Sequence, residues 1–231
     1  MADNLLQPNP FRWTESDAYL FDIDGTLLNT RDLVHWNALN RAMLEVYGVD
    51  TTIAGISYHG KTDLGILRAA LERAGVSNGA FEQKLSFALD VVRQHVSENA
   101  SQLVTDVCCA IPAILDRLHR SGKLLGVASG NLESVGWKKI EAAGLRHYFQ
   151  FGCFSDRDEF RADIFKRAVA EARSRAGQQA SVCFIGDTPE DISAARSAGA
   201  QIIAVGTGVY KAEELSRLGA DACVASCSDL V

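Results

Sequence analysis

The 231-residue sequence predicts an α/β protein: a doubly wound parallel sheet with an all-helical lobe inserted after its first strand. Three observations predict it. From about Ile111 to the end, short apolar runs alternate with helical patterns, as in a parallel sheet covered by helices on both faces. Five helical patterns stop at a glycine, at Gly75, Gly122, Gly144, Gly199 and Gly219, where a left-handed residue ends a helix, and their irregular spacing excludes a solenoid repeat. From about Asp32 to Leu103 the periodicity is helical, with no strong strand.

Taken in chain order, "YLFDID" opens the sheet as a buried strand that stops at Asp22 and Asp24. The segments "LVHWNALNRAMLEVYG", "DLGILRAALERAG" and "FEQKLSFALDVVRQHV" are the helices of the lobe. The strand "KLLGVAS" then ends at Ser129, before the helix "LESVGWKKIEAAG". "YFQFGCFS" is the next strand, a helix follows around Ile164 to Arg175, and "SVCFIGD" ends at Asp187. The runs "QIIAVG" and "ACVAS" complete the sheet. The division that follows is a core of residues 1–31 and 104–231 with a lobe of residues 32–103.

Composition narrows the function classes. Apolar residues make up 47% and charged residues 23%, which is globular, and no segment is repetitive. The net charge of −6, with no basic stripe, argues against a nucleic-acid partner. No apolar segment approaches the ~18 residues that span a bilayer, and "MADNLLQPNPFRW" lacks the features of a signal peptide. The six cysteines form no CxxC pair and several lie in apolar runs, which suits reduced thiols and a cytoplasmic location. Nothing in the sequence sets an oligomeric state.

Functional loops of open α/β sheets gather at the carboxyl ends of the strands. Asp22, Asp24, Asp187 and Asp191 all fall there. Carboxylates so close repel one another and resist burial, and Mg²⁺, with its preference for oxygen ligands, is the natural counter-ion. Part of this pattern has a structural explanation as well. "IDGT" is also a tight-turn sequence, Ser129 or Asn131 could cap the helix that follows, and "TPED" places Thr188 as N-cap, Pro189 at N1 and Asp191 at N3.

"FDIDGT" resembles the first motif of the haloacid dehalogenase-like hydrolases, "VASGN" the second and "FIGDTPEDISAARSAG" the fourth, in order and across nearly the whole chain. The resemblance implies a phosphatase with a helical cap, of the phosphoglycolate phosphatase and β-phosphoglucomutase group. Asp22 would be the nucleophile that forms an aspartyl-phosphate, and Asp24 the general acid/base. Mg²⁺ would be held by Asp22, the Asp24 carbonyl and Asp187, with Asp191 in support. Ser129 joins the catalytic set, while Thr26, Gly130 and Asn131 are expected on the substrate. In the third motif the sequence departs, because the usual Lys is missing before the helix in "DRDEFRADIFKRAV". Arg161, at the helix entrance, is the candidate cation, with Lys166 as competitor.

Within that resemblance, the second acid, Asp24, argues against dehalogenation and phosphonate cleavage, and the substrate is expected to be a small phosphorylated metabolite. Lys61, in "YHGKTD", is the candidate lid residue for a second anionic group. A sugar phosphomutase uses the same acids. A P-loop NTPase is a rival, since "GISYHGKT", Gly55 to Thr62, has the required spacing, although its loop interior is bulky for a phosphate cradle. A non-enzymatic phospho-accepting switch is another, although it would need no helical lid.

Overall fold

A computed structural model describes residues 12–231; all but the last two residues of the segment read for a signal peptide lie outside it. In chain order the elements are β1 (Ala18–Phe21), β2 (Leu28–Thr30), α1 (Val34–Tyr47), α2 (Asp63–Arg73), α3 (Asn78–Glu98), β3 (Thr105–Val107), α4 (Ile111–Arg120) and β4 (Leu124–Ala128). They continue with α5 (Glu133–Ala142), β5 (Phe151–Cys153), α6 (Arg161–Ala176), β6 (Val182–Gly186), α7 (Pro189–Ser197), β7 (Gln201–Val205), α8 (Ala212–Leu215) and β8 (Ala222–Val224).

The main sheet has six parallel strands in the order β5-β4-β1-β6-β7-β8. Strands β1 and β6 are buried at every residue, which is why they read as unbroken apolar runs. Alternate residues of β1 enter opposite cores. Tyr19 and Phe21 pack with α4 residues such as Ile114 and Leu118, while Ala18 and Leu20 pack with Phe165 of α6 and Ile192 of α7. The doubly wound expectation therefore holds. Five of the six cysteines are buried and all are free; Cys109 alone is exposed.

Helices α1, α2 and α3 share a third core, built on residues such as Met43, Leu67 and Val92, that also reaches Leu132 and Val135 at the start of α5. This segment enters and leaves through β2 and β3, an antiparallel pair that the sequence reading missed. Three-residue strands carry too little period-two signal to show, and their partners lie on opposite sides of the three helices. The pattern ending at Gly219 also yields less than expected: α8 is four residues long, followed by a single 3-10 turn. Among the described residues no helix is long and apolar enough to cross a membrane.

Candidate active site

Strand β1 stops at Phe21, one residue before Asp22, whose N–H donates to the Ile185 carbonyl of β6 at 3.0 Å. The backbone then tightens: the N–H groups of Thr26, Leu27 and Leu28 all turn back to the Ile23 carbonyl. Strand alternation thus does not orient the two acids. This turn brings both onto one cavity of about 510 Å³ that Ser129, Gly130, Asn131, Arg161 and Asp187 also line.

Two separate ion-pair systems hold the acids. Arg161, buried at the first residue of α6, donates through Nη2 to Asp22 at 3.1 Å and through Nη1 to Asp191. Lys139, buried on α5, donates to both Asp24 oxygens at 2.9 and 2.8 Å and to Asn131 Oδ1 at 2.9 Å. Asn131 and Thr30 add donors to Asp24 at 2.8 and 2.9 Å. The Asp24 side chain remains 40% exposed, facing the cavity.

The electrostatic consequences differ in sign. Burial pushes Asp22 up to about 6, with Arg161 pulling it down and Asp191 and Asp24 adding to the rise. Burial raises Asp187 well above the usual carboxylate range, with Asp191 and Asp22 reinforcing it. Burial would raise Asp24 too, but the Lys139 ammonium and the hydrogen bonds from Lys139 and Asn131 outweigh it and hold Asp24 at about 2. One arginine therefore faces three clustered acids.

Asp22, Asp187 and Asp191 offer carboxylate oxygens within 4.8 Å of one another. Such a set of hard oxygens, one cation short, fits Mg²⁺. The surroundings of Asp187 are shaped to admit it: a Cβ on Gly25 or Gly208 would lie 2.2 or 1.8 Å from its Oδ2, and Gly25 has a φ of +88°. Asp191 has both oxygens engaged. One meets Arg161 and the other accepts from the Thr188 N–H and hydroxyl in a capping box, so capping and site roles coincide in this residue.

The other expected site residues take these places. Thr26, expected on the substrate, is fully buried and donates its hydroxyl to Asp187 Oδ1 at 3.0 Å, so its side chain stands behind the carboxylates. Neither Ser129 nor Asn131 caps α5, whose N-cap is Leu132. Instead the Leu132 and Glu133 N–H groups donate to Asp63 and Asp156 at 2.8 and 2.6 Å, which fills the helix N-terminus with the protein's own carboxylates. Gly130 seats the segment before α2: a Cβ there would meet the Lys61 carbonyl oxygen at 2.4 Å, and the Asp63 N–H donates to the Gly130 carbonyl at 2.8 Å. Lys61 itself is exposed on the cavity wall. Lys166 is exposed and pairs with Asp163 at 3.2 Å, whereas Arg161 reaches Asp22 and Asp191. The Gly55–Thr62 stretch runs between α1 and α2 with no strand leading into it, so it lacks the context of a P-loop, and Thr62 is the α2 N-cap.

Two residues of this site escaped the sequence reading. Lys139 follows Lys138 and resembles one of a solvated pair; its signal is the phase it shares with the buried positions Val135, Gly136 and Ile140. Asp63, the first residue of α2, is buried, accepts from Leu132 and pairs with His35 at 3.1 Å.

A model of the haloacid dehalogenase-like hydrolases matches residues 19–205. Phosphoglycolate phosphatase of Mesorhizobium japonicum is 28% identical over 196 residues, 82% of each chain. CbbY from Rhodobacter sphaeroides, solved in complex with phosphate, superimposes with a TM-score of 0.69 at 19% identity, covering 93% of this chain and 96% of its own. β-Phosphoglucomutase from Clostridium difficile does so with a TM-score of 0.67 at 19% identity, covering 94% and 93%. These two likenesses establish the fold, and the family match over most of the chain establishes membership. With its acids at the carboxyl ends of β1 and β6, the chain belongs to the haloacid dehalogenase-like hydrolases.

Proposed function

We propose that the protein is a Mg²⁺-dependent phosphatase that hydrolyses a small phosphate monoester through an aspartyl-phosphate on Asp22. The observation that carries this reading is the separation of the two acids: Asp22 lies with Arg161 among the metal-type carboxylates, and Asp24 lies with Lys139 at the cavity. In this reading Asp22 attacks phosphorus while Arg161 orients it and the adjoining charge. Asp24 gives a proton to the departing alkoxide, then accepts one from the water that opens the acyl-phosphate. A phosphate dianion seated beside Asp24 raises its proton affinity by repulsion, which moves a carboxylate held at about 2 toward the acid role. Lys139, Asn131 and Thr30 fix its orientation throughout. Asp22, Asp187 and the Asp24 carbonyl would hold Mg²⁺, which supplies neutralisation of the clustered charge when bound.

Residues 32–103 act as a cap in this reading. Arg68 of α2 pairs with Glu159 at 2.6 Å, and Arg93 of α3 pairs with Asp156 at 2.8 Å, bridging the helical segment to the loop between β5 and α6. A cap held by such pairs encloses the reaction and excludes water. The phosphomutase alternative uses the same acids, and release of free phosphate separates the two. Purified protein should release phosphate from p-nitrophenyl phosphate and from a panel of alkyl phosphates with Mg²⁺ and not after chelation. Undiminished release in excess EDTA would overturn the metal requirement, and no release from any ester would overturn the phosphatase reading.

A metal test independent of turnover follows from the raised acids. Asp22 is held at about 6 against an ordinary value near 3.8, so the native state binds more protons than the unfolded chain between those values. Metal-free stability therefore falls as pH rises through this window; Asp187 is raised in the same direction, and Asp24, held low, changes only below it. Mg²⁺ competes with those protons. At pH 7.5 a concentration 100-fold above Kd should raise Tm by ~5–10 °C, with a clearly smaller rise at pH 5, read by calorimetry. Equal shifts at both pH values would count against a metal held by these carboxylates.

A further inference from the structure

The cavity is much larger than its phosphate end, and the walls beyond the acids change character. Leu33, Trp36, Leu39, Ile53, Tyr58 and Ile66, all from the segment between β2 and β3, line its other side. Leu33 and Tyr58 are 62% and 36% exposed, and Val209, from the loop after β7, adds a third exposed apolar side chain at 61%. The rings form one continuous aromatic wall. Trp36 and Tyr58 meet edge to face with centroids 5.7 Å apart at 84°, and Tyr58 lies against His59 at 4.3 Å. Exposed apolar side chains gathered in one concave surface mark a surface that a ligand covers.

Several of the polar groups on these walls are engaged by the protein itself, with Lys61 exposed at their edge. The Asp32 oxygens accept from the Val34 and Val104 N–H groups at 2.8 and 2.7 Å. His35 is paired with Asp63, Thr30 donates to Asp24, and Thr207 donates to the Gly25 carbonyl at 2.6 Å. A polyhydroxylated leaving group needs converging donors and acceptors, and a buried hydroxyl without one is costly. A two-carbon acid would leave most of about 510 Å³ unfilled, in a range of volume that suits a drug-sized ligand.

Resting on the phosphatase reading above, we infer that the leaving group is a flat aromatic or heteroaromatic ring, joined through an alkyl oxygen to the phosphate and packed against the Trp36–Tyr58 wall. The ring's faces and edges match what these side chains offer, edge-to-face and offset contacts. The bond broken is the phosphorus–oxygen bond, as for any monoester; the ring departs as an aryl-substituted alcohol that takes its proton from Asp24.

The test uses the full chain with Mg²⁺ and esters whose leaving alcohols differ little in acidity, so that intrinsic reactivity does not dominate. Benzyl phosphate and naphthylmethyl phosphate are compared with cyclohexylmethyl phosphate, phosphoglycolate and a hexose 6-phosphate. Naphthylmethyl and benzyl phosphate should exceed phosphoglycolate and the hexose phosphate in kcat/KM by ~10–100-fold, and exceed the cyclohexyl ester by less. Trp36→Leu and Tyr58→Leu remove the rings yet keep apolar bulk, and each should cut the benzyl-to-hexose preference by ~5-fold or more. Two independent variants keep the comparison readable if one fails to fold. Turnover of p-nitrophenyl phosphate with no aryl preference, or with a preference for phosphoglycolate or the hexose phosphate, overturns this inference and leaves the phosphatase reading standing. No turnover of any ester, p-nitrophenyl phosphate included, overturns both.

Discussion

Asp22→Asn should lower phosphate release by at least ~10³-fold on every ester, because an amide does not attack phosphorus and the covalent route closes. The protein should stay folded. Asp22 is a poor guest electrostatically: burial with Asp187 and Asp191 nearby holds it near 6, so at pH 7.5 its charge works against the native state. The amide oxygen still accepts from Arg161 Nη2, and Arg161 keeps its contact with Asp191. The metal-free variant should therefore melt no lower than the wild type at pH 7.5, a case of function maintained at the expense of stability. Calorimetry and a phosphate-release assay read the two halves separately. Activity within tenfold of wild type would exclude Asp22 as nucleophile. A large drop in Tm alongside lost activity would leave the nucleophile assignment without support from this variant.

How much of this was legible in the sequence depends on whether a signal was local. Asp22, Asp24 and Asp187 announced themselves because each follows an apolar run that ends at a strand terminus, and in such sheets the strand ends form one rim. The helix ends at Gly75, Gly122, Gly144 and Gly199 were equally local, and each of these glycines adopts positive φ. Arg161 stood out as a candidate, with Lys166 as competitor, because it opens a helix next to the expected gap in the third motif. Non-local features did not show. The β2–β3 pair joins strands on either side of three helices, and its residues carry no pattern until they meet. The Thr26 bond to Asp187 was equally hidden, because the place of Thr26 in the first motif says nothing of a carboxylate more than a hundred residues away. Trp36 and Tyr58 blend into the amphipathic surroundings of α1 and the loop after it; only the fold shows that they face the same cavity as the acids.

Asp24→Asn should act selectively. A general acid matters in proportion to how badly the leaving group needs a proton, so an alkyl phosphate should lose ~10²–10⁴-fold in kcat/KM while p-nitrophenyl phosphate loses far less. Asp24 is placed for this by four hydrogen bonds, two from Lys139 and one each from Asn131 and Thr30, in a side chain that still opens to the cavity. Lys139 extends the test. Its ammonium is the main influence opposing the burial that would otherwise raise Asp24, and it also holds Asn131 Oδ1. Lys139→Met keeps most of the stem that packs in α5 and deletes the charge, leaving the carboxylate free to turn. It should reproduce the same dependence on leaving group in weaker form, ~10-fold on alkyl esters and little on the nitrophenyl ester. A merely structural lysine would lower both substrates equally, and Lys139→Arg, which retains the charge in a wider fork, should recover part of the alkyl activity. Equal losses on both esters in Asp24→Asn would remove the acid/base assignment. Selectivity in Asp24→Asn with equal losses in Lys139→Met would keep Asp24 as acid and base but reduce Lys139 to a support of the helix.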